Sequence, residues 1–146
     1  MPRQHSWNIE NKETERAVLI GLKVPYSNIS PKESLAELNR LAHTAGAKVI
    51  GQLIQQRQTP HNAYYIGTGK VKEAREYILR KKINLVIVDD EISPTQESNL
   101  EEEFNCKVID RTRLILDIFA QHASSSVGKL QVELAQMAYY LPRLKN

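Results

Sequence analysis

Short apolar runs alternate with amphipathic helical segments along most of this chain, and this alternation is the feature that most restricts its fold. The run Leu85–Val88 is apolar at every position, as expected of a central strand covered on both faces. Ser30–Glu33 and Ser93–Gln96 each place a serine before a proline, with Glu or Gln three residues after the serine, which indicates helix starts. Strands that alternate with helices predict an α/β fold, with a mostly parallel sheet flanked by helices in three layers.

The same patterns predict the individual elements of the domain. Strands are expected at residues 16–22, 47–54, 63–66, 85–88 and 107–109. One helix is expected after Ser30, with Gly46 as its stop, and a second after Thr68 as its cap. A third is expected after Ser93, with Leu100 and Phe104 on its buried face.

Residues 111–146 contain two further helical patterns separated by a serine-rich turn, which predicts a helical hairpin. The first helix is apolar on nearly every side, so it must be buried or covered by a partner. The second stops at Pro142 and carries one apolar stripe, formed by Leu130, Leu134, Met137, Ala138 and Leu141. We therefore expect a mobile tail at residues 1–14, an α/β domain at 15–110 and the hairpin at 111–146.

Composition bounds the class of protein. Hydrophobic residues make up 41% of the chain and charged residues 25%, which is ordinary for a soluble globular protein. No apolar run approaches the roughly 20 residues that span a bilayer, and the N-terminus has no apolar signal-peptide core, so no membrane contact or secretion is predicted. Cys106 is the single cysteine, which fits the reducing cytoplasm. The histidines lack metal-ligand spacing, so no metal is expected.

The net charge of +3 hides a strong segregation along the chain. Residues 1–83 hold fourteen Lys and Arg against seven Asp and Glu, residues 84–110 hold one against eight, and residues 111–146 hold five against two. If the chain meets a nucleic acid, the two basic flanks are expected to supply the contact and the acidic middle to face away. The alternative is a solvated acidic helix face with scattered surface lysines.

Two clusters could bind a small ligand. Gly67, Thr68, Gly69 and Lys70 lie where a strand turns into a helix, and free N–H groups there attract anions such as phosphate. The alternative is a tight turn with a solvated lysine, because a dinucleotide-binding turn would carry a third glycine. Asp89–Glu91 follows the central strand, where carboxylates can hold Mg²⁺ or act in acid-base chemistry, or simply favour a helix start.

A phosphate-binding P-loop, G-x-x-x-x-G-K-[ST], does not occur in the sequence. The nearest segment, Gly67–Val71, has the wrong glycine spacing and a valine where the magnesium-binding hydroxyl would stand. The chain is therefore not expected to hydrolyse GTP by itself.

Several segments together resemble the HflX family of ribosome-associated GTPases. They are Tyr65–Lys70, Val88–Gln96, Asp110–Gln121, Gly128–Gln136 and Leu141–Leu144, so the resemblance covers about residues 15–146. It implies that the whole protein binds the large ribosomal subunit and splits or rescues stalled ribosomes in the cytoplasm. It also implies that GTP and Mg²⁺ belong to a GTP-binding domain that follows the region present here, which is then the N-terminal, ribosome-engaging part without a cofactor of its own.

The resemblance further implies an RNA contact at the hairpin. In HflX-like proteins the hairpin is understood to reach into the large subunit near the peptidyl-transferase centre, with its loop against ribosomal RNA. The residues carried over are Arg111 and Arg113 at the base and His122, Ser124, Ser125, Ser126 and Lys129 in the turn. On composition alone the turn reads as a plain connector, since Ser and Gly are ordinary loop residues.

This sequence departs from the family pattern at the hairpin. His122 stands where relatives usually carry Arg, Ser124 where they carry a basic residue and Val127 where they carry Glu, while Arg113 replaces a small residue. Fewer cations at the tip should weaken phosphate contacts.

Two other hypotheses stay open. One is a small α/β protein that binds a nucleotide or phosphate ligand through Gly67–Lys70 and Asp89–Glu91. The other is self-association of the chain through its apolar helix stripe.

Overall fold

The computed structural model describes residues 14–144, and within that range it contains one parallel sheet of four strands. The strands are β1 (Arg16–Lys23), β2 (Lys48–Gln56), β3 (Leu85–Val88) and β4 (Lys107–Asp110). Their order across the sheet is β2-β1-β3-β4, and every neighbouring pair is parallel. The tail predicted at residues 1–14 lies, apart from Thr14, outside the described residues.

Helices cover both faces of this sheet. In residues 14–144 they are α1 (Pro31–Thr44), α2 (Thr68–Lys81), α3 (Pro94–Phe104), α4 (Arg111–His122) and α5 (Ser126–Tyr140), followed by a 3₁₀ turn at Leu141–Arg143. Alternate residues of β1 face opposite cores: Val18 and Ile20 pack with α2 and α3, whereas Ala17 and Leu19 pack with α1 and α4. The predicted three-layer α/β fold is confirmed.

The serine caps form as their sequence indicates. Ser30 accepts a hydrogen bond from the backbone N–H of Glu33, and Ser93 accepts one from that of Gln96. The Gln96 side chain in turn accepts from the N–H of Ser93, which completes a reciprocal capping box. These caps fix where α1 and α3 begin.

Two local predictions are wrong. Residues 63–66 form a turn instead of a strand, because the imidazole of His61 accepts backbone N–H groups from Ala63 and Tyr64 and closes the chain on itself. A single antiparallel bridge between His61 and Tyr65 is all that remains of the expected pairing there. Thr68 is also not the cap of α2: Gly67 is, without a side-chain hydrogen bond, and Thr68 is the first helical residue.

Helix α4 runs back along the sheet from the carboxyl end of β4. Asp110, the last residue of β4, caps the helix, and Leu114 is fully buried against the sheet. Ile118, one helical turn after Leu114, also packs against this face of the sheet. The base of the hairpin therefore lies at the carboxyl end of the strands, and its tip is directed toward the amino end.

The connection between α4 and α5 is shorter than predicted. It comprises only residues 123–125, because the Ser125 hydroxyl accepts the N–H of Gly128 and starts α5 there. The apolar stripe of α5 is uncovered, with exposed fractions of 55–60% at Leu130, Leu134, Met137 and Leu141. Phe119 on α4 is 57% exposed, so α4 is buried on one side only.

Asp110 locks the base of the hairpin to the sheet. Its carboxylate is fully buried and accepts hydrogen bonds from the N–H groups of Ile92 (3.0 Å) and Arg113 (3.0 Å) and from the Tyr139 hydroxyl (2.6 Å). The Arg143 guanidinium lies 3.8 Å from the same carboxylate and 3.8 Å above the Tyr139 ring. One side chain thus joins β4, the loop before α3 and both helices of the hairpin.

Replacing Asp110 with alanine should lower the free energy of unfolding by about 3 kcal/mol, because it leaves buried donors and a cation without their acceptor. Urea denaturation would measure the loss, with Glu102→Ala on the exposed face of α3 as the control, expected to stay within about 0.5 kcal/mol of the parent. A loss at Asp110 no larger than that of the control would contradict this role.

Candidate nucleic-acid interface

The tip of the hairpin brings five of the predicted RNA-contact residues together. His122 ends α4, Ser124 and Ser125 form the turn, and Ser126 begins α5. Lys129 follows in the first turn of α5, and all five residues are exposed. Ser125 has a structural part as well, since its hydroxyl accepts the Gly128 N–H at 2.9 Å and caps α5. The tip is therefore a tight, exposed and polar turn.

Arg111 and Arg113 lie at the other end of α4, about 16 Å and about 13 Å along the helix from His122 at 1.5 Å per helical residue. Arg111 pairs with Asp89 at 2.7 Å and also with Glu37. It therefore joins α4 to the end of β3 and to α1. The structure separates this arginine from the tip and neutralises its charge within the domain.

Arg113 is also held within the hairpin. Its Nε lies 3.7 Å from Asp117, one helical turn further along α4, and its guanidinium lies 5.5 Å from the centre of the Tyr140 ring. The Tyr140 hydroxyl donates to Asp117 at 3.1 Å. The i,i+4 spacing of Arg113 and Asp117 is the sequence signal that could have indicated this pairing.

The Gly67–Lys70 turn is engaged in packing. The Gly67 N–H donates to the side chain of Gln55 at 2.8 Å, and a Cβ at this position would lie 2.8 Å from the Arg57 guanidinium. Lys70 pairs with Glu73 at 3.2 Å. The Gly67 N–H and the Lys70 ammonium are therefore both engaged within the domain, which favours the tight-turn interpretation over an anion site.

A small crevice lies where β1 and β3 end, the point at which the strand order reverses. Its volume is about 210 Å³, and Tyr65, Asp89 and Asp90 line it. Tyr65 has a φ of +67°, which is rare for a bulky residue, and its pKa is raised by burial and by the charges of Asp90 and Asp89. Burial also raises the pKa of Asp90. A phosphate would meet carboxylates here, so the crevice does not support the nucleotide-ligand alternative.

Within residues 14–144 no three or more His, Cys, Asp or Glu side chains gather as a metal ion would need. None of the helices described for the chain has the length and hydropathy that crossing a membrane requires.

The structure defines a class: a parallel α/β domain with a helical hairpin locked to one end, of the kind found in GTP-binding proteins. The chain superposes on a GTP-binding protein from the hyperthermophilic archaeon Sulfolobus solfataricus in complex with GDP, with a TM-score of 0.65 and 27% identity. The match covers 89% of this chain and 38% of that one.

Sequence relatives identify the family. The GTP-binding GTPase N-terminal family model matches residues 32–120. The GTPase HflX of Caldanaerobacter subterraneus subsp. tengcongensis is 48% identical over 91% of this chain, and that of Escherichia coli is 42% identical over 89%. The chain spans about 30% of the length of each of these relatives. It belongs to the HflX family of GTPases, as its motifs predicted, and corresponds to the N-terminal domain.

The buried tyrosines predict loss of stability at high pH. Burial and then Asp117 raise the pKa of Tyr140 to about 12, and burial also raises the pKa values of Tyr65 and Tyr139. In the unfolded chain the tyrosine pKa is 10.0, so below that pH the raised pKa values stabilise the folded state fully. This stabilisation is lost as the pH rises from 10 toward 12. Lys107, whose pKa is lowered by burial to about 8, has the opposite effect: its contribution to the free energy of unfolding increases as the pH rises from about 8 to 10.5.

We therefore expect the free energy of unfolding to fall steeply only above about pH 10. Denaturation at a series of pH values, followed by tyrosinate absorbance, would show it. The free energy of unfolding of Tyr140→Phe should fall less steeply with pH than that of the parent. An equal slope in both proteins would disprove the contribution of Tyr140.

Proposed function

We propose that this chain is the large-subunit-binding domain of an HflX-type GTPase, and that its hairpin tip contacts ribosomal RNA near the peptidyl-transferase centre. The whole protein would act in the cytoplasm to split or rescue stalled ribosomes. GTP and Mg²⁺ would be held by a separate GTP-binding domain. The observation that carries the proposal is the exposed polar tip on a hairpin whose base is locked.

The locked base supports a role in positioning. Asp110 and Arg143 hold the first turn of α4 and the end of α5 against the sheet, while an additional ion pair of 3.2 Å joins Arg143 to Glu97 on α3. A tip that extends from such an anchor has a defined direction relative to the domain. Binding RNA at that tip then orients the α/β domain as well.

The charge at the tip is modest but available. Lys129 is exposed and forms no ion pair within residues 14–144, whereas Arg111 and Arg113 are both paired inside the domain. We therefore assign the phosphate contact of the hairpin to Lys129, with hydroxyls of Ser124 and Ser126 as uncharged donors. Arg111 and Arg113 support the hairpin from its base.

The isolated chain should not bind GTP tightly. It lacks the glycine-rich phosphate loop and its magnesium-binding hydroxyl, and its crevice at the strand ends is acidic. Isothermal calorimetry with GTP and Mg²⁺ should show no saturable heat at micromolar concentrations. Saturable binding would reveal a nucleotide site in the α/β domain and favour the alternative function.

Lys129→Glu should weaken binding to purified large subunits and reduce the slope of log affinity against log salt by about one unit, because one phosphate contact is lost. Sedimentation at several salt concentrations would measure both quantities. Glu102→Lys on the opposite face of the sheet is the control, expected to leave affinity unchanged or slightly raised. Parental binding by Lys129→Glu together with loss of binding in Glu102→Lys would refute this orientation.

A further inference from the structure

We infer that the amino-terminal end of the sheet is a second phosphate-binding surface, which binds the backbone of structured RNA beside the hairpin tip. This surface, called here the basic end, consists of Arg16, Arg40, His43, Lys48, Lys81 and Lys82. Only the choice of RNA as the partner rests on the proposed function. The surface itself rests on the geometry of the domain.

The fold brings these residues together from four separate elements. In a parallel sheet with helical connections, the strand starts and the helix ends lie at the same edge. Arg16 at the start of β1 pairs in register with Lys48 at the start of β2. Its guanidinium donates to the carbonyl oxygens of Lys81 (2.8 Å) and Lys82 (3.2 Å), at the end of α2. The cations of β1, β2 and α2 are therefore contiguous.

A groove extends this surface to the end of α1. It has a volume of about 730 Å³, and its lining includes Arg40, His43 and Lys48. Asn39 adds a side-chain amide to the same groove. Arginine, lysine and asparagine side chains are among the usual donors to phosphate oxygens in nucleic-acid complexes.

The charge of the basic end is not compensated within the domain. Among residues 14–144, no ion pair involves Arg40, Lys48, Lys81 or Lys82. Arg16 already satisfies the last carbonyl groups of α2, so the two lysine ammonium groups are not needed there. Unpaired cations gathered at one end create a positive potential that attracts a polyanion.

The backbone at Lys82 supports a role for its charge. Lys82 has a φ of +56°, a left-handed conformation in which glycine is favoured and a lysine is strained. A glycine would end α2 equally well, and the position instead presents a cation beside Arg16 and Lys81.

The hairpin tip lies on the same side of the molecule. Because α4 begins at the carboxyl end of β4 and packs back over the sheet, its tip and the end of α1 are both directed toward the amino end of the sheet. One folded RNA can therefore contact Lys129 and the basic end together. An acidic segment of a protein could also meet these charges, and the experiment below separates it from RNA.

The inference is tested with Lys48→Glu and Lys82→Gly, using large subunits and a protein-free RNA duplex as probes. Both variants should bind each probe more weakly, and Lys48→Glu should reduce the salt slope by about one unit. Lys32→Glu, an equal charge reversal at the exposed start of α1, should behave like the parent. The urea midpoint of Lys82→Gly should be unchanged or higher, because glycine relieves the left-handed strain, so a loss of binding cannot come from unfolding.

The outcomes separate this inference from the proposed function. Parental affinity for both probes in Lys48→Glu and Lys82→Gly would overturn the basic end, even if Lys129→Glu weakens subunit binding and so supports the tip. Weakened binding to the duplex without any binding to subunits would support the basic end and reject the proposed partner. Displacement of the duplex by polyglutamate at equal charge concentration would show that RNA is not preferred and would overturn the inference.

Discussion

The rest of the structure depends on one buried carboxylate. A fully buried Asp110 is costly unless its oxygens are satisfied, and here the loop before α3, helix α4 and helix α5 all supply hydrogen-bond donors to it. The cost of burying the charge is therefore offset only when these elements meet in one arrangement. This requirement fixes the hairpin to the sheet more specifically than apolar contact would, because apolar surfaces tolerate sliding and a set of directed hydrogen bonds does not.

Charges that are segregated along the chain are also segregated in the folded domain. Five of the cations before residue 84 lie at the amino end of the sheet: Arg16, Arg40, Lys48, Lys81 and Lys82. The glutamates of α3 lie on the helix that packs beside β4. Arginines near the hairpin are instead paired with Asp89, Asp117 and Glu97. The net charge is small because the numbers of basic and acidic residues are nearly equal, but the two kinds of residue occupy different parts of the domain. Contacts with RNA depend on the position of charge and not on its sum.

Local patterns predicted most of the fold, and long-range contacts account for what they missed. The apolar run of β3 and the serine caps of α1 and α3 depend on residues a few positions apart, so the sequence displays them directly. The apolar residues of 63–66 predict a strand, but these residues form a turn, because His61 closes the chain on itself and Tyr65 and Ile66 are buried there. The serine-rich break between two helical patterns predicts a turn, and residues 123–125 form it. Local patterns do not show that Arg111 pairs with Asp89, since 22 residues separate them in the chain.

Because the apolar stripe on α5 is uncovered, the stability of this domain depends on what surrounds it. Leu130, Leu134 and Met137 share a helix with Tyr139, whose side chain is buried against Asp110. Any surface that covers the stripe binds the folded hairpin and not the unfolded chain, so it stabilises the lock at the base by mass action. The melting temperature of the domain therefore depends on the solution as well as on the sequence. It should rise with the concentration of any molecule that covers the stripe.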